Sequence, residues 1–192
     1  MKVIAFNGSP RKNANTVTLV KAVLNGAERK GAETRLINLN ELNIKGCQGC
    51  DACKKHLGVC VQKDDITPLL QEMKGYDAIV LGTPIYWYHV SAQFKMLIDR
   101  FYCFYGEDKH PETGEQSLQV WFPAEKKFVI VTSQEAPEPF PQVQDWLNLV
   151  TMAMNASSAE FITHCGSGNL RDSAKNDAEL MAKAEAIGAA LV

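Results

Sequence analysis

Along the chain, short apolar runs alternate with stretches whose apolar positions recur every three or four residues, a pattern that predicts strands and helices in turn. The first run, residues 3–6, is followed by a polar loop and then by Val17, Val20, Leu24 and Ala27, one face of a helix that Gly31 stops. Residues 34–39 read as a second strand. Behind Asp64 and Asp65, which stand where helix caps belong, Ile66, Leu69, Leu70 and Met73 have helical spacing. Residues 78–81 are apolar throughout, as a strand covered on both faces should be. Ser91 is positioned to cap a helix whose inner face is Phe94, Leu97, Ile98, Phe101 and Tyr105. Residues 128–131 form a fourth strand and residues 161–163 a fifth. Between them Val143, Trp146, Leu147, Val150 and Met154 line a helix, and Met181, Ala184, Gly188 and Leu191 mark a closing one.

Five strands alternating with five helical patterns imply an α/β fold, a doubly wound parallel sheet with right-handed crossovers. The number of strands favours the flavodoxin-like order 2-1-3-4-5, whose ligand crevice opens outside the carboxyl ends of the first and third strands. With 192 residues, 46% of them hydrophobic, the chain is expected to form one domain over 1–192. Two segments interrupt the pattern. One is cysteine-rich, over 46–61; the other, over 106–125, is long and polar, in the manner of a lid, a small hairpin or an oligomer arm.

The crevice names two loops in advance. Residues 7–16, NGSPRKNANT, join a buried strand to a helix, where free backbone N–H groups and the helix dipole favour an anion. Ser9, Asn13, Asn15 and Thr16 add donors, and Arg11 and Lys12 add positive charge. No Gly-Lys-Ser/Thr follows, and only Gly8 stands where a dinucleotide fingerprint needs three glycines, so a single phosphate is indicated. The plain alternative is an ordinary strand-to-helix turn. In residues 82–93, GTPIYWYHVSAQ, Pro84 stiffens the backbone and Ile85, Tyr86, Trp87 and Tyr88 place bulky groups in a row at the end of a buried strand. Consecutive side chains cannot all face one core, so some line a crevice suited to a flat tricyclic ligand, or else cover a sheet edge or a dimer contact.

Charge narrows the function classes. A formal charge of −2, from 20 Lys and Arg against 22 Asp and Glu, gives no footprint for nucleic acid or anionic lipid. Neither a secretory leader nor a bilayer-spanning stretch is read, and a cytoplasmic setting is expected. Six cysteines without an export signal argue against a disulfide framework, and four of them fall within 47–60. Cys47, Cys50 and Cys53 are spaced Cys-x2-Cys-x2-Cys, with Cys60 after six more residues. Gly46, Gly49 and Gly58 ease the turns that let these thiolates converge on one cubane cluster. Zinc is the rival, and free thiols the third reading. Cys103 reads as a small buried hydrophobe, and so does Cys165 beside His164, although it stands near the ligand edge. His110 falls in the polar segment, and Asp99 and Arg100 read as exposed helix charges.

Together GSPRKNANT and GTPIYWYHVSAQFKMLIDR resemble the NAD(P)H-dependent FMN reductases, and CQGCDACKKHLGVC brings the likeness closer to the iron-sulfur flavoproteins of that superfamily. The likeness implies a flavodoxin-like domain with FMN phosphate on Ser9, Arg11, Asn13, Asn15 and Thr16, beside Val17. The isoalloxazine ring would rest against Pro84, Ile85, Tyr86, Trp87 and Tyr88, with further contacts from Thr132, Ser133 and Gln134. It also implies NAD(P)H as electron donor, a 4Fe-4S cluster on Cys47, Cys50, Cys53 and Cys60, and a homodimer or homotetramer. No catalytic side chain is required, because the cofactor carries the hard chemistry. The acceptor would be a quinone, a flavin or a protein. The alternative is a non-catalytic FMN- or zinc-binding partner protein.

Overall fold

Successive residues of each buried strand face opposite ways, and this period sorts the apolar side chains into two cores. The chain is described by a computed structural model over residues 1–56, 58–109, 112–113, 115–166, 168 and 171–192; His110 lies outside the described residues. Strands β1 (Lys2–Asn7), β2 (Glu33–Asn38), β3 (Ala78–Tyr86), β7 (Lys127–Ser133) and β8 (Ser158–His164) are parallel, in the order β2-β1-β3-β7-β8. This is the 2-1-3-4-5 order expected from the sequence. Val3, Ala5, Ala78 and Val80 pack on helices α1 (Asn15–Arg29) and α5 (Ala178–Leu191). Ile4, Phe6, Ile79 and Leu81 pack on α2 (Ile66–Glu72), α3 (Ala92–Arg100) and α4 (Pro141–Ala153).

The helices α1 and α5 approach closely because small residues meet there. A Cβ on Gly188 would stand 1.8 Å from the Val23 carbonyl oxygen, so only glycine allows this spacing. Helix α1 ends at Gly31, whose φ is +87°, as its position in the sequence predicts. Ser91 caps α3 by accepting the Phe94 N–H at 3.3 Å.

Three expectations are corrected. Strand β3 does not stop at Leu81 but continues to Tyr86, because β7 pairs alongside it as far as Pro84↔Ser133 and β4 (His89–Val90) folds back on its end. Helix α3 ends at Arg100, so Tyr105 opens strand β5 (Tyr105–Lys109), which pairs antiparallel with β6 (Gln116–Val120). The polar segment is therefore built on a hairpin. Asp64 and Asp65 do not cap α2 but bind the chain that leads into the cysteine segment: Asp65 accepts the Asn43 N–H at 2.7 Å and Asp64 the Lys45 N–H at 3.0 Å.

Candidate functional site

The carboxyl ends of β1 and β3 are drawn together by one bond beyond their ladder, from the Gly8 N–H to the Gly82 carbonyl at 2.7 Å. A Cβ on Gly8 would meet the Phe94 Cβ at 2.7 Å, so the loop after β1 can lie against α3 only because this residue is glycine. The Ser91 hydroxyl donates to the Gly8 carbonyl at 2.7 Å and fixes that approach. The loop is wound on its own polar groups. Asn7 Oδ1 accepts the Ser9 N–H at 3.1 Å, and Ser9 Oγ accepts the Arg11 N–H at 3.2 Å.

A cavity of about 300 Å³ opens where these ends meet. Its wall includes Ser9, Arg11, Asn15 and Thr16 from the first loop, Pro84, Ile85 and Tyr86 from the end of β3, and Ser133 and Gln134 from the end of β7. The hydroxyls of Thr16 and Ser133 lie 2.6 Å apart and tie the first loop to the third. At the opening of α1 the Asn15 N–H is taken by the Arg171 carbonyl, at 2.9 Å. The Thr16 and Val17 N–H groups have no backbone partner among the described residues. Thus Val17, whose side chain is buried in the α1 core, offers its amide and not its side chain.

Other residues named from the sequence stand elsewhere. Asn13 is exposed and outside the wall. Thr132 bonds Thr163 at 3.0 Å and lines a smaller neighbouring pocket with Ile85 and Gln134. Trp87 and Tyr88 form the two-residue turn between β3 and β4, with φ of +46° and +67°, and are 92% and 62% exposed. The reversal of the backbone carries their rings away from the wall. Tyr88 packs edge-on against Phe140 instead, with ring centroids 5.4 Å apart. Ala14, Glu135, Gly168 and Arg171 also line the cavity and had no signal that we read in the sequence. For Gly168 and Arg171 a signal existed, since the loop after β8 leaves the same sheet edge.

Cys47, Cys50, Cys53 and Cys60 share one shallow pocket, with Cys103 and Arg100 also in its wall. Among its described residues the segment carries a short 3-10 helix, Ala52–Lys54, and positive φ values at Gly49, Asp51 and Gly58. Among the described residues no three His, Cys, Asp or Glu side chains form a ready metal-holding group. The donor set, thiols without imidazole or carboxylate, fits an iron-sulfur cluster or zinc in chemistry, and the thiols are gathered on one wall without being at ligand spacing. Burial, then the neighbouring Cys60 and Cys53, pushes the Cys103 thiol up to about 12, which makes it an inert wall group. Burial also raises Cys53.

Arg100 is not an exposed helix charge. Its side chain is fully buried, and Nη1 donates to Asp64 at 2.6 Å and to the Lys45 carbonyl at 2.9 Å. Nη2 adds Asp64 at 3.2 Å and Thr67 Oγ1 at 2.6 Å. Burial works against both charges. For Asp64 the bonds from Arg100, Lys45 and Thr67 outweigh it and hold the carboxyl below its usual range; for Arg100, Asp64 and Cys60 push the pKa up. The reversal of the sequence expectation has a physical cause: the cysteine segment leaves Lys45 with a carbonyl to satisfy, and α3 points its last turn there.

The sequence model of the family described as NADPH-dependent FMN reductase matches residues 1–118. An iron-sulfur flavoprotein of Methanocaldococcus jannaschii is 46% identical over 100 residues, covering 52% of this chain and 51% of that protein. An iron-sulfur flavoprotein of Archaeoglobus fulgidus is 47% identical over 100 residues, covering 52% and 48%. The chain thus spans about half the length of the curated relatives it matches. In structure, an NAD(P)H:quinone oxidoreductase from Methanothermobacter marburgensis superposes with a TM-score of 0.74 at 15% identity, over 100% of this chain and 99% of that one, a likeness of fold. With more than half of its residues matched by the family model, the chain belongs to the NADPH-dependent FMN reductase family.

Proposed function

We propose that the chain is an FMN-dependent oxidoreductase that takes electrons from NAD(P)H and passes them to a quinone, a flavin or a protein acceptor. The observation that carries this reading is the cavity at the ends of β1 and β3, which joins hydroxyl and amide donors on one wall to Pro84, Ile85 and Tyr86 on another. Bound FMN would supply the redox chemistry, accepting hydride from the nicotinamide and releasing electrons to the acceptor. The chain's own part is binding and orientation. Ser9 and Thr16, with the Thr16 and Val17 amides, would hold the phosphate, and Arg11 would offset its charge. Ile85 and Tyr86 would give the ring an apolar wall. The Trp87–Tyr88 turn stands beside this wall, where a nicotinamide, an acceptor or a second copy of the chain would approach.

The reading extends to Cys47, Cys50, Cys53 and Cys60 as holders of a 4Fe-4S cluster, supported by the all-thiol wall and by the names of the relatives. Protein prepared without oxygen is then expected to contain about four irons and four sulfides per chain. One zinc, or no metal with four titratable thiols, would overturn that assignment. A homodimer or homotetramer is part of the proposal, with Trp87, Leu149 and Met152 as exposed apolar surface available to a second copy. A monomer by sedimentation would refute it.

The test of the flavin assignment is titration of the protein with FMN. One-to-one binding is expected, weakened in Ser9→Ala and Thr16→Ala by about 1.5 to 3 kcal/mol each if the bonds are charge-assisted. Unchanged affinity in the double variant would sink the phosphate assignment. Steady-state oxidation of NAD(P)H by the FMN-loaded protein distinguishes an enzyme from a binding protein without turnover.

A further inference from the structure

Beyond β8, hydrogen bonds place the described residues Gly166, Arg171 and Ala174. The Gly166 N–H donates to the Ala136 carbonyl at 2.8 Å, next to the point where the Gln134 N–H meets the His164 carbonyl at 2.9 Å. Asn15 makes two of these bonds. Its N–H donates to the Arg171 carbonyl at 2.9 Å, and its Oδ1 accepts the Ala174 N–H at 2.9 Å. Gly166 is thereby bound to the third loop, and Arg171 and Ala174 to the first turn of α1; Gly168 and Arg171 stand in the cavity wall.

Charge gives the placement its meaning. A phosphomonoester carries about −1.5 to −2 at neutral pH. The first loop brings one arginine to the wall, Arg11, and the wall also contains Glu135, which repels an anion. A single guanidinium leaves part of that charge to the amides and hydroxyls. Arg171 supplies the second, and its carbonyl is bonded to the first amide of α1, the place where a helix opening favours an anion. A planar guanidinium suits phosphate oxygens by its fork of donors.

We infer that Arg171, anchored by its carbonyl to Asn15, is a second cationic contact for the phosphate of FMN. The inference rests on the flavin reading above. Arg171 lies outside the 1–118 stretch matched by the family model, so the contact is not one that the match supplies.

Riboflavin, which has the ring without the phosphate, provides the control. FMN and riboflavin are titrated separately against the parent protein, Arg171→Gln and Arg171→Lys, with quenching of flavin fluorescence as the readout. In Arg171→Gln the Kd for FMN is expected to rise about tenfold while that for riboflavin stays unchanged, and Arg171→Lys should retain most of the FMN affinity. Equal weakening of both flavins, or an unchanged Kd for FMN, would overturn the role of Arg171 and leave the flavin site standing. A parent protein that binds neither flavin would overturn the reading on which the inference rests.

Discussion

In the cavity at the ends of β1 and β3, hydroxyls and amides fixed by strands and a helix stand with the charged Arg11, Glu135 and Arg171. Around the cysteines the polar groups are thiols on a chain with little regular structure among the described residues, supported by a buried ion pair. The first region has its shape before any ligand arrives, since the Thr16–Ser133 and Ser91–Gly8 bonds close it. The second has a buried floor and an exposed upper wall: Arg100 and Asp64 are paired and buried, whereas Cys47 and Cys50 are exposed and no metal-ready geometry stands among the described residues. The difference teaches where each site draws its order. The cavity is ordered by the sheet, and the thiols would be brought to ligand spacing by the group they bind.

The largest expected effect follows from removing one partner of the buried pair. Asp64→Ala leaves the Arg100 guanidinium charged, buried and unpaired, and should cost about 3 to 5 kcal/mol in urea denaturation. The double change Asp64→Leu with Arg100→Met should recover much of the loss, because no buried charge remains. The same pair predicts acid sensitivity. The Asp64 pKa is lowered by folding, so its stabilisation is present above the unfolded carboxyl value of about 3.9 and is lost as pH falls below it.

A smaller loss should begin at higher pH on the cavity side. Burial lowers the His164 pKa, only partly opposed by Asp177, and Nδ1 has no partner among the described residues. The unfolded chain therefore takes up this proton first. Stability is complete above about pH 6.5 and declines as pH falls through the lowered folded value. Melting temperatures between pH 7.5 and 5.5 should fall in the parent protein and flatten in His164→Gln; a parent curve that is flat or rises on acidification would contradict this.

The smallest effect concerns the Trp87–Tyr88 turn. A two-residue turn with both φ values positive favours asparagine and glycine, and here two large aromatic residues occupy it. Trp87 is almost wholly exposed, so Trp87→Gly gives up little packing and relieves left-handed backbone. It should raise stability by about 1 kcal/mol and leave the Kd for FMN unchanged. Weakened FMN binding in this variant would show that the ring reaches the turn.

What was legible in the sequence divides along the same line. Strand order followed from the number of strands and their alternation with helical spacing, and the loop after β1 could be named because the topology fixes where a crevice opens. Arg100 could not be read correctly, since the sequence gives its place on α3 but not the carbonyl of Lys45 or the carboxylate of Asp64, both distant in the chain. The exposure of Trp87 and Tyr88 was hidden for another reason: an aromatic run reveals bulk, whereas the turn that exposes it depends on the β4 pairing. Arg171 was passed over although Gly166 and Gly168 mark a turn after β8, because a lone arginine in a polar loop does not declare a ligand.

The account's central claim is that the flavin cavity stands independently of the cysteines. The most direct measurement is FMN affinity and iron content, determined together on anaerobically prepared parent protein and Cys53→Ser. The account predicts that iron is lost in the variant while FMN binds one-to-one with an unchanged Kd, because no cysteine lies in the cavity wall. Loss of FMN binding together with the iron, in a variant that still unfolds cooperatively, would contradict it.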